Sequence, residues 1–237
     1  MPASLILSAV HAQFERSADP LNFSSNRLVS GLSKPLQKLL LSASTVTDLC
    51  AWDVIGAPTL MNETVYFLAG ASVAQLVPRG RDLDVAVGLI PAGGTAGLQF
   101  ALGAGPGQFT LLVQTGGPAF ALEGATFRRI LSEHPPVLLA VARQMWAEAQ
   151  DLAMFAMSLH SHSVTQRLAN WIRLSGHGNA TGELDLTHAH MARMLGVRRA
   201  SVSEAAYELR RMGLVDYVRG KVRVLDASGL ESYCSAA

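Results

Sequence analysis

The segment from Leu186 to Leu209 admits few folds. Thr187 suits the N-cap of a first helix whose Met191, Ala192 and Leu195 share one apolar face. Gly196 follows at a tight turn, where a left-handed backbone is readily adopted. Val197, Val202, Ala206 and Leu209 then supply the buried side of a second helix. Two short amphipathic helices hinged on a glycine, with these anchors, form a helix-turn-helix. Met212-Gly213-Leu214-Val215 closes the second helix. Tyr217-Val218 and Lys221–Leu225 read as two short strands around Arg219-Gly220, a small basic wing.

The polar positions of this unit suit nucleic acid. A second helix of this kind enters the major groove of DNA by its N-terminal end. There Arg199 can donate to guanine O6 and N7, Glu204 can accept from cytosine N4, and Ser203 can reach either base edges or phosphate. Thr187, Arg198, Ser201, Arg219 and Lys221 read as phosphate contacts, which fix register and carry little sequence information. Arg210 and Arg211 stand at the far end of the helix, where they serve either DNA or the helix dipole. His188 and His190 fall on different faces of the first helix, which makes them poor joint metal ligands, and read as solvent-facing positions, with a phosphate nearby as the alternative. Charge follows the same division: Thr187 to Asp226 carries +4, and the rest of the chain −3. The competing reading of this module is a winged helix that contacts protein.

Upstream lies a long helical stretch from about Pro135 to His160, whose two prolines suit a first helical turn. Leu138, Ala142, Met145, Ala149, Leu152, Ala156 and Leu159 recur at heptad spacing, and Arg143, Glu148 and Asp151 all fall off that seam. The pattern predicts either a dimer interface or an internal helix packed on its own domain. Val164 to Leu174 reads as a further helix, stopped at Gly176-His177-Gly178.

Between about Ser44 and Leu122 short apolar runs alternate with Gly and Pro turns such as Pro91-Ala92-Gly93-Gly94. They predict about eight strands in a β-sandwich or β-roll. Helical stretches are expected at about Lys34–Ser42 and Phe127–Glu133. The domain plan is a leader at 1–25, a β-roll sensor-like domain at 26–134, a dimerisation helix at 135–160 and a winged-helix DNA-binding domain at 161–237. Hydrophobic residues make up 49% of the chain and charged residues 16%, the texture of a compact protein. No run approaches the ~20 apolar residues of a membrane span, and the Leu5-Ile6-Leu7 patch is too short for a signal peptide. A cytoplasmic protein is expected. Cys50 and Cys234 have no partners at metal-ligand spacing, so neither a metal site nor a cofactor is expected. Phosphate-loop and nucleophile-elbow motifs are lacking, and Asp82 and Asp84 read as a solvated strand edge, so an enzyme is not expected.

The seam helix, the Val164-Thr165-Gln166-Arg167-Leu168 helix and the winged helix, taken in sequence, resemble the cyclic-AMP receptor protein/FNR (Crp/Fnr) family of regulators. The resemblance runs from about Asn26 to Leu230 and is strongest after Leu122. It implies an α+β fold: a cyclic-nucleotide-binding-type β-roll (jelly roll), a parallel dimer through the long helix, and a winged helix-turn-helix on a two-fold symmetric operator. The implied partners are double-stranded DNA and a second copy of the chain, with RNA polymerase as a candidate.

This chain also departs from the family. Where many members carry Arg-Glu and a second Arg on the recognition helix, it has Arg199, Ala200 and Glu204, so the family's common operator is not assumed. Where cyclic-nucleotide binders place a Glu and an Arg for the ribose and phosphate, Val85 to Leu122 holds no charged residue. A phosphate buried there would lack a cation, and the long helix offers Asp151-Leu152-Ala153-Met154 in place of a Thr-Ser pair. Cyclic AMP is therefore not expected as the effector. Phe100, Leu102, Phe109, Leu111 and Val113 suggest a pocket for an apolar small molecule, or none. The rival function is a non-enzymatic interaction protein whose β-roll binds a partner or such a molecule.

Overall fold

The structure is a computed structural model and describes residues 23–60, 63–79, 83–104, 107–176, 183–218 and 220–235. Most of the expected leader, the aspartate at 82 and Arg219 in the wing lie outside these residues. Among the described residues, the short helices α1 (Arg27–Ser30) and α2 (Lys34–Ala43) precede eight strands. These are β1 (Thr45–Leu49), β2 (Val54–Gly56), β3 (Thr64–Leu68), β4 (Ser72–Arg79), β5 (Leu83–Ile90), β6 (Thr95–Ala96), β7 (Thr110–Thr115) and β8 (Gly117–Glu123). They pair antiparallel in two four-stranded sheets, ordered β1-β8-β3-β6 and β2-β7-β4-β5, with the one-turn helix α3 (Leu98–Ala101) after β6. Eight strands is the number that the spacing of Gly and Pro turns predicts.

Both sheets are buried on both faces. Tyr66, Leu68 and Ala119 of the first sheet meet Val73, Leu111 and Val113 of the second between the layers. The opposite face of the first sheet, with Val65, Phe67, Phe120 and Leu122, is covered by helices. The opposite face of the second, with Ala74, Leu76, Ala86 and Leu112, continues into the C-terminal module. Successive residues of a strand point to opposite sides, so a strand buried on both sides reads as an unbroken apolar run. Hence Thr110–Thr115 shows no polar alternation.

Aromatic rings fix the helical cover. Phe23 packs edge-on to Phe67 at 5.4 Å and to Phe120 at 4.8 Å, and Phe67 meets Phe127 at 5.8 Å. Phe23 is thus part of the β-roll core although it precedes the expected domain start at 26. Asn26 ties the start of α1 to the loop before β6, donating to the Gly94 carbonyl at 2.7 Å and accepting from Thr95 and the Leu28 amide. Gly97 has φ +83°, and a Cβ there would stand 2.6 Å from the Thr64 carbonyl oxygen, so the turn into α3 accepts only glycine.

Helix α4 (Gly124–Glu133) starts three residues before the expected Phe127 and leads into the long α5 (Pro135–Ser161). One side of α5 packs on the β-roll through buried Val137 and Val141, then through half-buried Glu148 and Phe155. The heptad positions lie on the neighbouring side. Leu138, Ala142, Met145, Ala149, Ala156 and Leu159 are exposed in the single chain, and Leu152 is half-buried. The seam is therefore not the face that packs on its own domain.

After α6 (Val164–Gly176) come β9 (Glu183–Leu184), α7 (His188–Leu195), α8 (Arg199–Arg211), β10 (Val215–Val218), β11 (Lys221–Val224) and α9 (Ala227–Ser235). The wing is a three-stranded sheet, β10-β11-β9. The strand β9 and the helix α9 have no counterpart among the sequence expectations.

Phe67 is fully buried between two other phenylalanines. Phe67→Ala is expected to cost about 3–5 kcal/mol, read as a lowered midpoint in urea unfolding with an unchanged slope.

Candidate nucleic-acid interface

The reading helix is set by its neighbours. Thr187 caps α7 by accepting from the His190 amide at 3.2 Å, and Gly196 ends it in the left-handed conformation at φ 64°. Val202, Ala205, Ala206 and Leu209 bury one side of α8. Thr165 donates to the Glu208 carboxylate at 2.7 Å, and Arg167 donates to the Leu195 carbonyl, which holds both helices against α6. Burial of the Arg167 guanidinium lowers its pKa.

The outward side of α8 carries Arg199, Ala200, Glu204 and Tyr207, all exposed, with Ser203 half-buried beside them. Arg198, the N-cap residue, makes no side-chain cap bond and is exposed, and the first turn of α8 holds no acid. Two guanidiniums therefore stand at the positive end of a helix dipole, an arrangement that attracts phosphate. Tyr207 is absent from the sequence-based candidates although its side chain is 68% exposed on this face. Its helical spacing from Arg199, Ser203 and Glu204 was the available signal. Ser201 is half-buried near the same end.

At the far end of α8, Arg210 pairs with Asp216 at 3.1 Å across the turn into β10. In the wing, the Lys221 ammonium lies 3.8 Å from both Glu183 and Asp185, and Arg223 bonds Glu183. The Arg223 guanidinium holds the Glu183 carboxyl below its usual range. Lys221 is exposed and on the wing as expected, with two carboxylates competing for it.

Both histidines of α7 depart from the solvent-facing expectation. His188 Nδ1 lies 3.0 Å from the Ser203 hydroxyl, and its ring meets Tyr217 edge-on at 5.2 Å. Burial lifts the Tyr217 phenol far above its ordinary value. His190 stacks on Trp52 of the β-roll with ring centroids 3.9 Å apart. Trp52 adopts φ 76° in the turn between β1 and β2 and donates its amide to the Val113 carbonyl at 2.8 Å. The two histidines face different ways, as their spacing predicts; what they face is protein.

The expected apolar pocket is a packed core. Phe100, Leu111 and Val113 are buried among neighbours, and Leu102 is exposed at the surface. A cavity of about 470 Å³ lies instead where β4 and β5 meet α5, α6 and α9. Arg27, Gln75, Glu148, Asp151 and Arg173 are among its lining residues. Burial raises the Glu148 pKa, against a hydrogen bond from Gln144 at 3.1 Å. Among the described residues no three His, Cys, Asp or Glu side chains form a metal-binding group, and no helix is long and apolar enough to cross a membrane.

Residues 166–233, from α6 through the wing into α9, match the family of Crp-like helix-turn-helix domains. This module is a Crp-like helix-turn-helix domain. The described residues as a whole share the fold of solved Crp/Fnr regulators. A transcriptional regulator assigned to that family from Eubacterium rectale superposes with a TM-score of 0.68 at 15% identity, over 90% of this chain and 99% of that one. FixK2 from Bradyrhizobium japonicum gives 0.67 at 13% identity, over 82% of this chain and 98% of its own. A Crp-family transcriptional regulator from Thermus thermophilus gives 0.63 at 20% identity, over 81% and 97%. A search of curated protein sequences finds no significant match.

The two histidines of α7 are expected to make stability depend on pH. Burial lowers both pKa values below 6.5, helped by Arg199 at His188 and by Arg193 at His190. The unfolded chain therefore takes up protons first as the pH falls. The stabilisation is complete above the unfolded value and is lost as the pH drops through the folded ones. Unfolding free energy is expected to fall between about pH 7.5 and about pH 5.5. His190→Phe, which keeps a ring on Trp52 and removes the titration, is expected to lose less over that interval. An equal loss in both proteins would remove His190 from the account.

Proposed function

We propose that the protein is a homodimeric transcriptional regulator of the cytoplasm that reads a pseudo-palindromic operator and does not answer to cyclic AMP. The observation that carries the DNA-reading part is the outward side of α8. On a Crp-like helix-turn-helix, Arg199, Ser203 and Glu204 lie in the N-terminal half of α8, with Arg198 at its cap. Arg199 is the base donor and selects guanine, and Glu204 accepts from cytosine. Thr187, Arg198, Ser201 and Lys221 hold the phosphates on either side.

Pairing of two chains through α5 is supported by the division of that helix into two faces. Its β-roll face is covered, while Leu138, Met145 and Leu159 are 39–45% exposed on the adjacent heptad line. Alanines at 142, 149 and 156 alternate with these larger side chains and let two helices approach closely. Parallel pairing along this line presents two copies of α8 with two-fold symmetry, and such a dimer reads two half-sites.

Independence from cyclic AMP is supported by charge. The turns of the β-roll that face α5 supply no cation between Val85 and Leu122, and α5 brings Glu148 and Asp151 to the cavity. Arg27 and Arg173 also line the cavity, but the charge of Arg27 acts on Glu148 and Arg173 donates to Asn170. A cyclic phosphate placed there meets carboxylates at short range.

Fluorescence anisotropy of the full chain on its own upstream DNA, at two salt concentrations and with and without cyclic AMP, tests the proposal. Tight, salt-dependent and nucleotide-independent binding is expected. Arg199→Ala is expected to cost about 1–3 kcal/mol and to relax selection at one base position per half-site. Loss of affinity for all sequences alike would falsify the base-reading role. Sedimentation velocity tests the pairing. The chain of 25.2 kDa is expected to run at twice that mass, and Ala149→Glu at once. A wild-type monomer, or an unchanged dimer in the variant, excludes the α5 seam.

A further inference from the structure

We propose that His188 sets which base Ser203 reads, by holding the serine hydroxyl in a state that only accepts hydrogen bonds. The inference rests on the reading of α8 as the helix that enters the groove, and deepens it.

Ser203 Oγ lies 3.1 Å from the carbonyl oxygen of Arg199, four residues earlier on α8. That oxygen can only accept, and the proposed state places the hydroxyl proton on it. The same Oγ lies 3.0 Å from His188 Nδ1, and with the serine proton already committed this bond runs from Nδ1–H to Oγ. A serine hydroxyl has one proton and two lone pairs. One lone pair remains, and it is all that Ser203 can offer the groove.

His188 is well placed to hold this arrangement. It is the first residue of α7, behind the N-cap Thr187, and its ring rests edge-on against Tyr217 of the wing at 5.2 Å. The imidazole is therefore gripped between three elements and keeps Ser203 in one rotamer. Without it the serine could turn to another staggered position and present its O–H outward. A free serine serves either kind of base edge, whereas an accept-only serine does not. In the major groove cytosine offers its N4 amino group and adenine its N6 amino group, while guanine and thymine present acceptors. Ser203 accordingly selects cytosine or adenine and rejects guanine and thymine. Glu204 beside it is likewise an acceptor, and Arg199 is the donor of the set. His188 reaches this selection only through Ser203, so it is a positioning residue.

Competition binding of the full chain to duplexes varied at each half-site position tests the idea. Ser203→Ala is expected to abolish a cytosine-or-adenine preference at one position, distinct from the one that Arg199→Ala relaxes. His188→Ala is expected to weaken that same preference about fivefold and to leave the Arg199 position unchanged. His188→Asn, whose amide N–H can stand where Nδ1–H stood, is expected to restore it. On the Ser203→Ala background, His188→Ala is expected to have no further effect on base choice. The inference is overturned if wild type prefers guanine or thymine at the Ser203 position, if Ser203→Ala alters no position, or if His188→Ala loosens every position alike or none. A wild-type protein that selects no sequence at all overturns the regulator reading itself, and this inference with it. A selective wild type with an unaltered His188→Ala variant overturns this inference alone.

Discussion

Neither β-sheet has a face to spare. The first is covered by helices on one side and by the second sheet on the other, and the second sheet gives its remaining face to the winged helix. Burial of apolar area is the main favourable term in folding, and here it forms three clusters, from the aromatic one around Phe67 to the one that holds Leu209 beneath α8. The orientation of α8 follows. Leu76, Ala86 and Leu112 share an apolar cluster with Met191, Met194 and Leu195, and the Trp52–His190 stack closes one side of that contact. Turning the reading helix relative to the β-roll means exposing this surface to water.

Local signals and long-range ones differed in how legible they were. The helix-turn-helix could be read because its determinants lie within one short stretch: a capping threonine, a left-handed glycine and apolar residues at helical spacing. The heptad line on α5 was legible for the same reason. In the single chain that line lies exposed beside the packed face. The histidines of α7 were misread because their partners lie elsewhere in the chain. Nothing in the sequence brings Trp52 to His190 across more than half the protein, or the Ser203 hydroxyl to His188 across the glycine turn. The strand β9 was invisible because two residues, Glu183 and Leu184, carry no period at all. They form a strand only through pairing with Val222 and Arg223.

The apolar segment between Val85 and Leu122 shows how composition can mislead about a cavity. A run rich in Phe, Leu and Val suggests an apolar lining, but strands buried on both faces need those side chains to fill the layers. Phe100, Leu111 and Val113 are used in that way. The open space moves to the edge of the layers, where β4 and β5 meet α5, and its chemistry comes from helices. Glu148 and Asp151 belong to α5 and Arg173 to α6, so the polar character of the cavity could not be read from the β-roll sequence.

That position gives the cavity leverage over the reading helix. One wall is the covered face of α5, which borders the heptad seam, and another is α6, which grips α7 and α8 through Arg167 and Thr165. A third is β5, which packs against α7. Two physical connections thus join the cavity to α7, one through the end of α5 at His162 and one directly across the β5–α7 contact. The direct route is apolar and short, and it crosses no hinge. It works as a switch only if the docked arrangement has an alternative close in free energy. The histidine stacked on Trp52 is the group best suited to supply one. Protonating His190 places a charge at a half-buried stack beside Arg193, on a contact separate from the outward side of α8.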